Sequence, residues 1–207
     1  SSCIPISDKL SYDQAVISEP LAIGVYAVKQ SIPMKRTKIG ILGFGPIGMS
    51  VMLAARAESA RSFTVTDKIQ PRLAIALREG ATSLFNPLEE DFTSMLKQHH
   101  PFGLDVVFEC CGQQEAFDQA IDVLKPGGRL VVVGIPEFDQ WSMNVELTRR
   151  KEISLQFIRR QVDCVETALE MMENGKTDIS NMVTHRFPFE RTKDAFDLVA
   201  AYGDGVM

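Results

Sequence analysis

A chain of 207 residues, 45% hydrophobic and with a mean hydropathy of -0.01, has the make-up of a globular protein that can bury roughly 70% of its unfolded surface without disulfide or metal staples. Its net charge of -5 comes from acids scattered along the sequence, with no basic block to neutralise phosphates, which argues against a nucleic-acid partner. No uncharged apolar run approaches the ~20 residues of a membrane helix, and SSCIPISDKL has neither a basic region nor an apolar signal core, so a cytoplasmic protein with no membrane partner is expected.

The first apolar stretch, AVISEPLAIGVYAV at residues 15–28, is interrupted by Glu19 and Pro20. Proline is welcome at the first helical position and an acid is favourable near a helix N-terminus, so Glu-Pro reads as a helix start, with Pro20 as the starter. From residue 38 short apolar strands alternate with amphipathic segments: KIGIL then MSVMLAARA, SFTVTD then PRLAIALREG, TSLF then DFTSMLKQ, GLDVVFEC then EAFDQAIDVL, and GRLVVVG, with ISLQF at 153–157 as a sixth strand. Glu79-Gly80 and Lys125-Pro126-Gly127-Gly128 supply helix stops. A helix near 163–173, a strand at VTHRF (183–187) and a helix near 192–200 are expected to follow. Such alternation predicts an α/β fold, a doubly wound parallel six-stranded sheet with helices on both faces. Residues 1–36 read as a leading segment with a linking helix, 37–160 as the principal domain and 161–207 as a helix-strand-helix that completes it.

The four cysteines, with Cys110 and Cys111 adjacent, suit neither a zinc knuckle nor a redox pair, and buried thiols are expected. Adjacent side chains diverge, and Pro101 follows at once, so His99 and His100 read as a solvated helix end; His185 reads as structural.

The strand KIGIL runs directly into Gly43-Phe44-Gly45-Pro46-Ile47-Gly48 and then a helix. In that context the first glycine turns the chain, the second admits a pyrophosphate to the backbone, and the third lets helix and strand pack closely, while the N–H groups at the helix start hold the anion. Nineteen residues beyond Gly48, at the end of the next strand, stands Asp67, placed to accept hydrogen bonds from an adenosine ribose and to repel a 2'-phosphate. NAD is therefore expected over NADP, a preference that Lys68 and Arg72 soften; a helix cap before PRLAIALREG is the structural alternative for Asp67. LKPGGRLVVVG also occurs in S-adenosylmethionine-dependent methyltransferases, but the glycine spacing here favours the dinucleotide.

GFGPIG, VTD with Arg72 five residues beyond the acid, FECCG, LKPGGRLVVVG and THRFPFERTKDAFDLV, in this order and spacing, resemble the cofactor-binding half of zinc-dependent medium-chain dehydrogenases, most closely the sorbitol (L-iditol) and threonine dehydrogenase branch. The resemblance implies a Rossmann domain in which Ile47 and the glycine loop contact the pyrophosphate and Asp67 and Arg72 hold the adenosine. It further implies that Cys111-Gly112 line the adenine side, that Val133-Gly134-Ile135 reach the nicotinamide end by backbone groups, and that Arg160 or its neighbours close over the cofactor. RAESAR departs from the usual glycine-containing turn, as do Phe157, where the branch often has glycine, and Arg159, where an aromatic is common.

In the family a catalytic domain with Cys, His and Glu zinc ligands precedes this region. None of it lies in the sequence, so zinc is expected in the intact enzyme only, and the chain is expected to be an excised or truncated cofactor domain, inactive alone. By position Glu19 falls where the interdomain link faces that zinc. The intact enzyme would act on a small-molecule polyol or secondary alcohol, and a homo-oligomer is plausible by analogy. The alternative is a stand-alone nucleotide-sensing module.

Overall fold

In a computed structural model, which describes residues 3–207, the apolar runs form one six-stranded parallel sheet. Its strands are β1 (Lys38–Leu42), β2 (Ser62–Thr66), β3 (Ser83–Phe85), β4 (Leu104–Glu109), β5 (Leu124–Val132) and β6 (Ser154–Phe157). They lie in the order β3-β2-β1-β4-β5-β6, every pairing parallel. The chain winds outward from β1 to β3 and then outward on the other side from β4 to β6. This leaves a crevice at the carboxyl ends of β1 and β4, where the two windings diverge. It is the doubly wound Rossmann architecture that the alternation predicts.

The helices are α1 (Tyr12–Lys29), α2 (Pro46–Ala57), α3 (Gln70–Arg78), α4 (Phe92–His99), α5 (Gln114–Val123), α6 (Val145–Arg150), α7 (Val165–Glu173) and α8 (Thr192–Ala200). Alternate strand residues feed opposite cores. Ile39, Ile41, Val106, Phe108 and Val131 pack with α1, α2, α3 and α7, whereas Leu42, Leu104, Val107, Leu130 and Val132 pack with α4 and α5. Burial on both faces is why these strands read as unbroken apolar runs. Among the described residues no helix is long and apolar enough to cross a membrane.

Helix α1 departs from expectation. Ser11 caps it: its hydroxyl accepts the Gln14 N–H at 3.2 Å while the Gln14 side chain accepts the Ser11 N–H at 2.9 Å. Pro20 therefore lies inside the 18-residue helix and does not start it. An internal proline frees a carbonyl one turn back, and here that carbonyl belongs to Val16, itself 67% exposed, so water can meet it. The buried half begins only at Leu21. In that half Gly24 crosses α2 so closely that a Cβ would stand 2.5 Å from the Ser50 carbonyl oxygen and 2.7 Å from the Val51 nitrogen.

VTHRF forms no strand. Three consecutive side chains there serve other ties: the Thr184 hydroxyl accepts the Met207 N–H, His185 meets Asp204 at 3.2 Å, and Arg186 pairs with Asp13 at 2.5 Å. The segment is thus pinned by side chains without joining either sheet edge. The Lys125-Pro126-Gly127-Gly128 turn sits within β5 as an irregularity, with Leu104 opposite Leu124 and Val106 already opposite Arg129. Helix α6, only six residues long and capped by the Asn144 side chain on the Leu147 N–H, is an element the sequence pattern did not announce. The thiols also differ from expectation, since only Cys164 is buried; Cys3 is near the chain start, and Cys110 and Cys111 stand just past the end of β4, at the rim of the crevice.

Candidate functional site

Between the end of β1 at Leu42 and the start of α2 at Pro46, three residues make the whole turn. Gly43 takes φ +91°, open to glycine, and donates its N–H to the Thr66 carbonyl at 2.8 Å. A Cβ on Gly48 would overlap the Gly43 carbonyl oxygen, so the third glycine is what lets α2 start against the loop. Gly45 is the N-cap, with no side chain to offer, and Pro46 has no N–H. The first intrahelical bond is from the Met49 N–H to the Gly45 carbonyl at 3.0 Å, leaving the N–H groups of Ile47 and Gly48 outside the helical ladder at the positive end of the helix. Phe44 is fully buried and its N–H is taken by Asp67, so it anchors the loop from beneath and offers a ligand no contact.

Asp67 sits one residue beyond β2 and is 8% exposed. Its Oδ2 accepts the Phe44 N–H at 2.7 Å and its Oδ1 accepts the Ile69 N–H at 2.8 Å, so one carboxylate fixes both the glycine loop and the approach to α3. The helix cap considered as an alternative for Asp67 is not made: the N-cap of α3 is Ile69, no side chain caps the helix, and Asp67 instead closes a tight turn ahead of it. Beside Asp67 opens a cleft of about 670 Å³ whose walls include Gly43, Asp67, Lys68, Arg72, Cys111 and Tyr202. That volume suits a nucleotide-sized ligand. Both flanking cations are engaged. Lys68 reaches across to Glu115 at 3.7 Å, and Arg72 donates twice to the Val206 carbonyl, at 3.1 and 2.6 Å, with its guanidinium over the Tyr202 ring.

The opposite rim comes from the end of β4, at Cys111. A Cβ on Gly112 would overlap the Ile135 carbonyl, so the turn at Cys111-Gly112 rests directly on the one at Val133-Gly134-Ile135; that second turn, like Ile47 and Gly48, does not border the cleft. Ile135 is 89% exposed, and Val133 is buried. Cys110 is half-buried and Cys111 exposed as residues, but their sulfur atoms are turned inward, that of Cys111 onto Glu109 Oε1 at 3.1 Å, and this desolvation, with the neighbouring Glu109, pushes both thiols up. Arg160, exposed and at φ +56°, does not border the cleft, and Glu19 is exposed on α1. Glu109, a buried acid at the carboxyl end of β4, is the site residue the sequence reading passed over. Its signal was an acid closing an otherwise apolar strand.

Three comparisons place this geometry. The profile of the zinc-binding dehydrogenase family matches residues 46–174. The chain is 32% identical to the sorbitol dehydrogenase of Bacillus subtilis, over 93% of its own length and 55% of that enzyme, and 30% identical to the L-idonate 5-dehydrogenase of Vitis vinifera, over 99% and 57%. The crystal structure of 2R,3R-butanediol dehydrogenase from Bacillus subtilis superposes with a TM-score of 0.87 at 26% identity, covering 95% of this chain and 57% of that one. The chain thus spans about half the length of the curated relatives it matches. With a profile covering the glycine-loop helix through α7 and relatives aligned along nearly all of its length, the chain belongs to the zinc-binding dehydrogenase family.

Proposed function

We propose that this chain is the NAD-binding half of a polyol or secondary-alcohol dehydrogenase and requires a catalytic partner domain for turnover. The observation that carries the reading is a nucleotide-sized cleft bordered by Gly43 of the glycine loop, by Asp67 and by Cys111, with the start of α2 and its uncommitted N–H groups only a few residues along the same loop. The residues fit the cofactor: the place where a Cβ on Gly48 would overlap backbone is where the helix must come close, and Ile47 and Gly48 present donors for a pyrophosphate. Asp67 would accept the ribose hydroxyls, and Cys111-Gly112 and Val133-Gly134-Ile135 would flank the two ends. When bound, the nicotinamide supplies hydride acceptance from, or donation to, a carbinol carbon. What the chain itself contributes is placement of that cofactor.

The preference for NAD over NADP rests on Asp67. Arg72 keeps its charge while donating to the Val206 carbonyl, and Lys68 meets Glu115 only at 3.7 Å on the surface, so both cations temper that preference. Zinc does not fit this chain alone, because among the described residues no group of three or more His, Cys, Asp or Glu side chains converges. The exposed Glu19 is proposed to face a metal whose other ligands lie in a partner domain. β6 is an edge strand with Phe157 54% exposed, which supports edge-to-edge association of two copies; light scattering that returns only monomer mass would count against it.

Titration calorimetry tests the cofactor reading. The chain should bind NADH more tightly than NADPH, and Asp67→Asn, which keeps an acceptor for the loop, should narrow that preference about tenfold, or ~1.4 kcal/mol. Asp67→Ala should weaken NADH further, with a melt to separate loss of fold from loss of contact. An Asp67→Asn variant that discriminates the two cofactors as the unaltered chain does would refute the role given to Asp67.

A further inference from the structure

Glu109 ends β4 with a carboxyl group inside the protein, fully buried at the point where the two windings of the sheet separate. Its Oε1 accepts the Cys111 N–H at 2.8 Å, the Gly112 N–H at 2.7 Å and the Cys111 thiol at 3.1 Å. Its backbone carbonyl accepts the Val133 N–H at 2.8 Å and the Gly134 N–H at 2.9 Å. Side chain and main chain of one residue therefore hold the turns after β4 and after β5. Its Oε2 is buried with no hydrogen-bond partner and lies 2.7 Å from where a Cβ on Gly134 would stand.

We propose that Glu109 is a positioning residue that holds the turn after β4 against the turn after β5, so that both stand in fixed register at the carboxyl edge of the sheet along which a dinucleotide would lie. The proposal rests on the cofactor reading above. Glu109 itself touches no ligand, because its oxygens are sealed under the turns. It acts through Gly112, which rests on Ile135, so that slackening the first turn shifts the second. A ligand confined to the Asp67 side of the cleft meets only the first of these turns, at Cys111. One that spans both ends depends on both turns and on their register.

The pair of probes is AMP, which fills one end, and NADH, which spans both. Glu109→Met removes the acceptor; Glu109→Asp keeps the carboxyl group but shortens its reach, and serves if the methionine variant does not fold. Either should weaken NADH at least about tenfold while weakening AMP, which meets only the first turn, no more than about threefold, since sub-ångström to ångström misplacements of positioning groups carry penalties of that size. Glu109→Gln retains an oxygen for the Cys111 and Gly112 N–H groups and should restore NADH affinity to within about threefold of the original. Amide hydrogen exchange on the ligand-free chain should show Cys111 and Gly112 losing protection in the Met or Asp variant and keeping it in the Gln variant. Parallel loss of AMP and NADH, or undiminished NADH affinity in folded Met and Asp variants, would overturn the positioning role. Failure of the unaltered chain to bind either probe would instead overturn the cofactor reading, and the positioning role with it.

Discussion

Replacing Gly24 with alanine sets two effects of opposite sign against each other, and the structure decides between them. Alanine is the better helix former by ~0.8–1 kcal/mol, so on propensity alone Gly24→Ala should stabilise the interior of α1. At this crossing, however, the new Cβ would stand 2.5 Å from the Ser50 carbonyl oxygen and 2.7 Å from the Val51 nitrogen, where ordinary contact begins at 3.4 Å. These atoms are main chain of α2 and cannot swing aside, so the helices must separate by nearly an ångström along a seam lined by Leu21, Val25, Val51 and other fully packed side chains. Overpacking costs ~1–3 kcal/mol, and against main-chain atoms that cannot yield the cost falls in the upper half of that range, ~2–3, leaving a net loss of about 1–2 kcal/mol. At roughly 2–4 °C per kcal/mol for a domain of this size, Tm should fall by about 2–8 °C. Thermal unfolding followed by circular dichroism measures this, with Val16→Ala on the exposed half of the same helix as a control expected to move little. A Gly24→Ala protein melting at or above the original would show that propensity wins and that α1 and α2 do not approach as described.

Acid stability should depend on Asp105, whose Oδ2 accepts the Lys38 N–H at 2.7 Å and whose Oδ1 pairs with Lys125. Burial is the largest influence and would raise its pKa, but the hydrogen bonds from Lys125 and Lys38 together with their charges outweigh it and hold the carboxyl below its ordinary 3.8. The unfolded chain therefore binds this proton more readily, so the contribution is complete above about pH 3.8 and is lost as pH falls through the lower folded value. Melts between pH 2 and 5 should show a shallower acid limb for Asp105→Asn, and an unchanged limb would remove Asp105 from the account. For Glu19, the relevant protein is one that joins this chain to a zinc-bearing domain: Glu19→Ala should lower its zinc stoichiometry or weaken zinc retention against a chelator, and an identical metal content would leave Glu19 as a solvated residue on α1.

Strand identity was legible because burial on both faces writes each strand as an apolar run, and the glycine loop because its spacing sits between such a run and a helix. What escaped the sequence was set by partners distant along the chain or by competing local signals. Pro20 looked like a helix start because proline is a strong punctuator, yet the Ser11 and Gln14 capping box lay earlier and won. The 183–187 segment carries strand-like residues, but Thr184, His185 and Arg186 find partners at Met207, Asp204 and Asp13, which no local pattern reveals. At the site, Asp67 was anticipated as a ligand for ribose, while its hold on Phe44, 23 residues away, was not. Glu109 was visible in FECCG all along; its meaning needed the turn from β5 beside it.

The glycine loop should be the most entropically costly segment of the chain to order, since glycine has the most conformations to lose. Yet Gly43 is tied to Thr66 and Phe44 to Asp67 by bonds internal to the chain. At ~1–2 kcal/mol per residue, fixing the six positions from Gly43 to Gly48 amounts to something on the order of 10 kcal/mol, and it is borne by folding. A ligand arriving at this cradle meets donors already in place, so its association need not wait for the loop, and its affinity is not reduced by the cost of ordering it.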